Sequence, residues 1–184
     1  MARTCVLLAP GFEEIEAVTI IDVLRRADID TCIVGVEERS VQGSHGIRLQ
    51  ADATLDEVAT EPWDLVVLPG GMPGASNLRD SASVQQLLRA QHASGRRLAA
   101  ICAAPIALSA AGVLGGRRAT SYPAFAEQIR CGEYREEAVV VDGPVITSRG
   151  PATALAFALR LVRELCGPER EAALGQALLV GTGR

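Results

Sequence analysis

Apolar residues along this chain fall into two alternating periods. "TCVLLA" (4–9), "DTCIVGV" (30–36), "WDLVVLPGG" (63–71) and "RLAAI" (97–101) are apolar runs without polar alternation, the mark of strands buried on both faces. Between them, "EEIEAVTIIDVLRRA" (13–27) and "SASVQQLLRAQHAS" (81–94) carry apolar positions at helical spacing, and the first predicts a helix of about four turns. "SVQGSHGIRLQADATL" (40–55) alternates and holds Gly43 and Gly46, which predicts a short hairpin beside the main sheet. Further on, the pattern predicts a helix directly after Cys102, a shorter one near "PAFAEQI" (123–129), and a strand pair in "AVVVDGPVITS" (138–148) turning at Asp142-Gly143. A last helix in "ATALAFALRLVREL" (152–165) is stopped by Gly167-Pro168. Strands that are each followed by a helix predict an α/β fold, a doubly wound sandwich around a mostly parallel sheet, here as a single domain over residues 1–184. Ligands in such folds bind beyond the carboxyl ends of the strands, which directs attention to Pro10–Glu16, Gly70–Asn77, Cys102–Pro105 and Ser148–Thr153.

Composition narrows the chemistry. The chain has 184 residues, is 48% hydrophobic and carries a net charge of −4, enough for one well-cored domain. Like charges do not cluster, and one tryptophan, two tyrosines and three phenylalanines offer little for stacking bases, so neither a nucleic-acid surface nor a membrane-binding face is expected. The N-terminal apolar run of about five residues is too short for a secretory signal or a membrane span, and a cytoplasmic location is the expectation. Five cysteines (Cys5, Cys32, Cys102, Cys131, Cys166) are odd in number and spaced singly with no CxxC, which argues for reduced thiols rather than disulfides or a zinc site. All 18 basic residues are arginine, which excludes Schiff-base lysine chemistry, pyridoxal-phosphate attachment and a P-loop. With only His45 and His92, and no GxSxG elbow, there is little material for a histidine metal site or a serine triad.

Cys102 stands where an apolar strand runs into an alanine-rich helix. The unpaired N–H groups of a helix start favour thiolate, so the position suits a nucleophile with the lowest thiol pKa of the five. Position alone also fits a small core residue, as Cys5 and Cys32 are read inside their strands. A side chain turned out of a strand-to-helix junction without glycine predicts positive φ at Cys102. "LPGGMPGASN" supplies Gly70, Gly71 and Gly74 after a strand, so backbone amides can face an anion, although the run is not a GxGxxG fingerprint. On the helix over 13–27, Ala17, Ile20, Ile21, Val23, Leu24 and Ala27 form one apolar arc that includes Glu13 and Glu16, while Glu14 lies with Asp22, Arg25 and Arg26 on the polar side. Glu14 there complements the helix dipole. Glu16, flanked by Ile20 and Val23, is expected to be desolvated with a raised pKa, a candidate acid/base for the cysteine.

"GFEEIEA", "VVLPGGMPGASNL", "AAICAAP", "ATSYP" and "VITSRGPATALAFAL" together resemble the ThiJ/PfpI superfamily, nearly end to end and in order, most closely the branch of the human parkinsonism-associated protein and its bacterial counterparts. The resemblance implies a flavodoxin-like sandwich, a homodimer, a reactive Cys102 paired with Glu16, and an oxyanion pocket from the backbone of Gly71 and Ala103. Gly70, Tyr122 and Arg149 are further candidate pocket residues. It implies a glyoxalase or deglycase acting without cofactor or metal on methylglyoxal or related reactive carbonyls and their adducts. The alternative is a redox sensor or chaperone of the oxidative stress response, with Cys102 oxidised to sulfenic or sulfinic acid beside protonated Glu16. Peptidase-like members carry a histidine directly after the cysteine; Ala103 stands there and disfavours a cysteine peptidase. Tyr122 replaces a histidine found in some members, leaving proton transfer to Glu16, and His45 stands where an arginine reaching across the dimer would be expected.

Overall fold

The computed structural model describes residues 2–181. Its centre is a seven-stranded sheet in the order β10-β11-β7-β6-β1-β2-β5. These strands are β1 (Arg3–Leu8), β2 (Asp30–Gly35), β5 (Ala53–Thr54), β6 (Leu65–Leu68), β7 (Arg97–Ile101), β10 (Val139–Asp142) and β11 (Val145–Ser148). All neighbours pair parallel except β10, which runs antiparallel to β11 through the turn expected at Asp142-Gly143. The structure thus has the α/β architecture read from the sequence, and the central runs are buried because both faces of the sheet are covered. On one face α1 (Glu14–Arg26) and α5 (Ala154–Cys166) pack Ile20, Leu24, Phe157 and Leu161 against Val6, Leu8 and Ile101. On the other lie α2 (Gly74–Asp80), α3 (Ala82–Ala93) and α4 (Pro105–Ala110), with Leu78, Val84, Leu88 and Leu108 over Leu7, Val66 and Leu98.

Several elements depart from the sequence reading. The segment over 40–55 splits: β3 (Ser40–Gln42) and β4 (Arg48–Gln50) form the expected hairpin, whereas β5 joins the main sheet beside β2. β5 pairs only Val34 and Gly35, so the earlier half of β2 is an open edge. There the Asp52 carboxylate accepts from the Ile33 N–H at 2.9 Å and Arg25 donates to the Thr31 carbonyl at 3.1 Å. Residues 74–80 are helical; glycine, asparagine and aspartate in so short a segment hid the period. Gly167 ends α5 as expected, but Pro168 then opens a further helix, α6 (Pro168–Ala177), because proline at the first helical position loses no hydrogen bond. The helix after Cys102 begins only at Pro105 and spans 6 residues, and the segment over 123–129 is a 3₁₀ helix (Pro123–Gln128). A small parallel pair, β8 (Arg118–Ala119) and β9 (Glu133–Tyr134), flanks it. No described helix is long and apolar enough to cross a membrane.

The sheet order determines what meets at its carboxyl end. β11, β7, β6 and β1 are consecutive neighbours, so Ser148–Gly150, Cys102, Gly70-Gly71 and Pro10–Glu13 emerge side by side. α5 is the main support behind them, with Phe157 fully buried at the centre of that layer. Phe157→Ala should lower stability by about 3–5 kcal/mol, read as a fall in the denaturant midpoint with unchanged slope.

Candidate functional site

Cys102 has φ +64°, as its place at the junction predicts. A left-handed residue other than glycine carries strain of about 1–3 kcal/mol and persists where its surroundings fix it. Here both main-chain groups are tied: its N–H donates to the Ser148 carbonyl at 3.0 Å and its carbonyl accepts from the Tyr122 N–H at 2.8 Å. The side chain is only 9% exposed. It faces Gly70, where an added Cβ would lie 2.6 Å from that of Cys102 and 2.7 Å from Glu16 Oε2, so nothing larger than glycine fits between nucleophile and carboxyl. Gly71, at φ +90°, then turns the chain so that its N–H, with that of Ala103, reaches the Cys102 sulfur.

Glu16 arrives from the first turn of α1. Glu13 caps this helix, its Oε2 accepting from the Glu16 N–H at 2.7 Å, and thereby sets the helix start that aims Glu16 inward. Glu16 is fully buried; Oε2 accepts from the Gly70 N–H at 2.8 Å, whereas Oε1 accepts no hydrogen bond and the carboxyl lies against the thiol. Burial pushes the Glu16 carboxyl up to about 7, against the Gly70 N–H and the Cys102 thiol, which favour the ionised form; the like charge of Glu13 adds to the rise. Burial also pushes the Cys102 thiol up to about 12, assisted by the charge of Glu16 and opposed by the N–H groups of Ala103 and Gly71. This corrects the expectation of the lowest thiol pKa among the five cysteines: the helix start is a turn away at Pro105, and desolvation outweighs the two amides. The pair behaves as one unit that releases a first proton near neutrality and holds the second strongly, because two adjacent buried anions would repel. The single charge above neutrality rests on the Glu16 carboxylate, while the two amides point at a sulfur that keeps its proton.

Glu14 is the second correction. It is not on a solvated face but 5% exposed, and it clamps the β3–β4 turn onto α1. Its carboxylate accepts from the His45 N–H at 2.6 Å, from Ser44 Oγ at 3.2 Å and from the Ile47 N–H at 3.4 Å, with His45 Nδ1 at 2.9 Å. Burial raises its pKa, but the hydrogen bonds from the His45 side chain and backbone outweigh this and bring it to about 2, while the bond to Glu14 raises the His45 pKa. His45, expected near a dimer contact, is therefore bound to its own chain, its ring 72% exposed. The turn residues that complete this clamp are distant in sequence from α1, which is why the helical arc alone missed it. Glu13, Glu14 and His45 each place one possible ligand atom within 4.8 Å of the others. Both Glu14 oxygens are already taken by N–H and O–H donors.

Of the other candidates, Tyr122 lies beside the site and is half-exposed, its N–H committed to Cys102. Arg149 does not aim its charge there: Nη1 donates to the Glu136 carbonyl at 2.9 Å, with Glu136 Oε2 at 4.0 Å. The site so assembled holds a thiol, a buried acid that titrates near neutrality, and two amides converging on the sulfur, the parts needed to add a thiol to a carbonyl and move a proton.

A model of the DJ-1/PfpI family matches residues 2–164. Protein dj-1beta of Drosophila melanogaster is 42% identical over 178 residues, covering 95% of each chain. A protein of Caenorhabditis elegans named glutathione-independent glyoxalase DJR-1.2 is 36% identical over 167 residues, covering 90% of this chain and 89% of that one. Among solved structures, oxidized Toxoplasma gondii DJ-1 aligns with a TM-score of 0.95 at 38% identity, over 98% of this chain and 100% of that chain.

The raised pKa of Glu16 has a consequence for stability. The folded protein binds this proton more tightly than the unfolded chain, so stability is full below the unfolded carboxyl pKa of 4.5 and falls as pH rises to about 7, flattening above it. Melting temperature should therefore decline across that window, by the equivalent of about 3 kcal/mol. Glu16→Gln should remove most of this slope, and an equal slope in the variant would assign the titration elsewhere.

Proposed function

The chain belongs to the DJ-1/PfpI family, and on that premise we propose that it is a cofactor-independent glyoxalase converting small α-ketoaldehydes such as methylglyoxal to 2-hydroxy acids. The observation that carries the reading is the fully buried Glu16, titrating near 7 against Cys102. The Cys102 sulfur bonds to the aldehyde carbon, and the thiol proton passes by way of Glu16 to the former carbonyl oxygen, giving a hemithioacetal. While negative, that oxygen is held by the N–H groups of Gly71 and Ala103. Glu16 next removes the proton from the sulfur-bearing carbon, forming an enediol, and returns it to the neighbouring carbon; the product is a thioester of the hydroxy acid. Water cleaves the thioester, releasing the acid and restoring the thiol. The sum is dicarbonyl plus water to hydroxy acid, with no external oxidant or reductant. The relative named a glutathione-independent glyoxalase supports this assignment. Adducts of the same carbonyls on thiols or amines would enter by the same attack on carbon.

A second reading is oxidation of Cys102 to sulfenic or sulfinic acid as a signal. The two amides suit an oxidised sulfur, and a relative was solved oxidized. It requires Glu16 only as a hydrogen-bond donor, so one variant separates the two. Glu16→Gln should lower hydroxy acid formation from methylglyoxal by about 10²–10⁴-fold while Cys102 still reaches sulfinic acid with peroxide, read by intact mass. A parent protein no faster than free thiol would end the catalytic reading.

A homodimer fits the apolar residues left exposed on one side. Ile15 and Val18 lie one turn apart on α1, Leu155 is on α5 packed against it, and Ile47 is in the turn clamped by Glu14. Val18→Asp should shift sedimentation from dimer to monomer at micromolar concentration; a monomeric parent would remove the proposal.

A further inference from the structure

A cavity of about 290 Å³ lies between the two segments that hold the Cys102 backbone, walled by Tyr122, Pro123, Gly150, Pro151, Ala152 and Thr153, with the stem of Arg149. Two main-chain bonds tie its walls to the nucleophile. Tyr122, on one wall, donates to the Cys102 carbonyl; Ser148, whose carbonyl receives the Cys102 N–H, leads directly into the other wall at Arg149–Ala152. The lining is apolar. Arg149, whose charge could have made an anion site, turns its guanidinium to Glu136, leaving methylene groups toward the opening. Gly150 is extended and does not need glycine for its backbone; what glycine gives is space, because a Cβ there would press to 3.3 Å from Tyr122 Cδ2. The Cδ2–Cε2 edge of the ring therefore comes close to the chain and bounds one side of a slot whose volume approaches the lower end, about 300 Å³, of ligand pockets.

We propose that this slot receives the substituent carried by the dicarbonyl, that Tyr122 and Gly150 determine specificity there, and that the preferred substrates are α-ketoaldehydes with aryl or branched apolar groups rather than a methyl group. The inference rests on Cys102 as the nucleophile of the glyoxalase reading. Geometry gives the direction of preference. A methyl group can bury little apolar surface against these walls, whereas a phenyl ring exchanges water for the Tyr122 ring and the prolines. Such contacts are worth about 10-fold or more per step in size in a hydrophobic pocket. Arg149, the charged wall residue, directs its guanidinium to the Glu136 carbonyl, so an acidic dicarbonyl gains less here than an apolar one.

Aryl dicarbonyls also attack arginine, of which this chain has 18, so the test uses haloketones. Cys102 displaces bromide from bromoacetone or 2-bromoacetophenone, the sulfur–carbon bond forming as the carbon–bromine bond breaks and the thiol proton leaves to solvent. Peptide mass mapping gives the rate at Cys102 for each. Their ratio, compared between proteins, cancels thiol ionisation and reagent reactivity. Ala152→Phe, which fills the slot, should reduce the aryl-to-methyl ratio by about 10-fold or more, and Tyr122→Ala should reduce it in the same direction. A ratio unchanged in an Ala152→Phe protein that sediments like the parent overturns the proposal. On the parent itself, acetophenone should slow carboxamidomethylation of Cys102 by iodoacetamide at concentrations where acetone does not; equal protection by the two also overturns it. Lactate formation from methylglyoxal is read separately. An aryl preference without hydroxy acid would keep the slot and remove the glyoxalase reading.

Discussion

One shared proton governs this site. Glu16 is fully buried beside Cys102, and the charged neighbour acting on the carboxyl, Glu13, has the same sign. Two adjacent anions there would lack a counter-charge, so the pair retains a proton, and the surrounding structure decides where the remaining charge rests. Gly70 brings the groups together by having no side chain and holds one carboxyl oxygen with its N–H, while Gly71 and Ala103 direct theirs at sulfur. Acid, nucleophile and anion cradle are consequently interdependent: a side chain at Gly70 would displace all of them.

The scaffold's contribution is adjacency. Parallel neighbours end at the same side of a sheet, so four consecutive strands bring segments remote in sequence into one row. Cys102 takes its left-handed backbone because Ser148, at the end of β11, and Tyr122, at the start of the 3₁₀ helix, hold both of its main-chain groups. The clamp of Glu14 on the β3–β4 turn extends the row past α1. Three glutamates within one helical turn thus have three separate tasks, one capping the helix, one anchoring a loop and one serving the thiol.

The strands were legible because burial on both faces leaves uninterrupted apolar runs, and the Glu16–Cys102 pair because a carboxylate inside an apolar arc is conspicuous. α2 and α6 were not: one is short and rich in residues that favour turns, and the other buries only Leu174, so neither shows a helical period. Glu14 was misread because helical spacing describes a helix alone, whereas its burial comes from a hairpin folding over it. The thiol pKa was misjudged because position suggests dipoles but not desolvation, and here the larger effect is desolvation.

The half-open edge of β2 bears on how copies of this chain can associate. An unpaired strand is a template for another strand, but Asp52 occupies the Ile33 amide and Arg25 the Thr31 carbonyl, with the two side chains bridged to each other at 3.0 Å. An incoming chain would have to strip two charged groups from the backbone before its own main chain could bond. Strand addition along this half of β2 therefore competes with two charged side chains already bonded to its backbone.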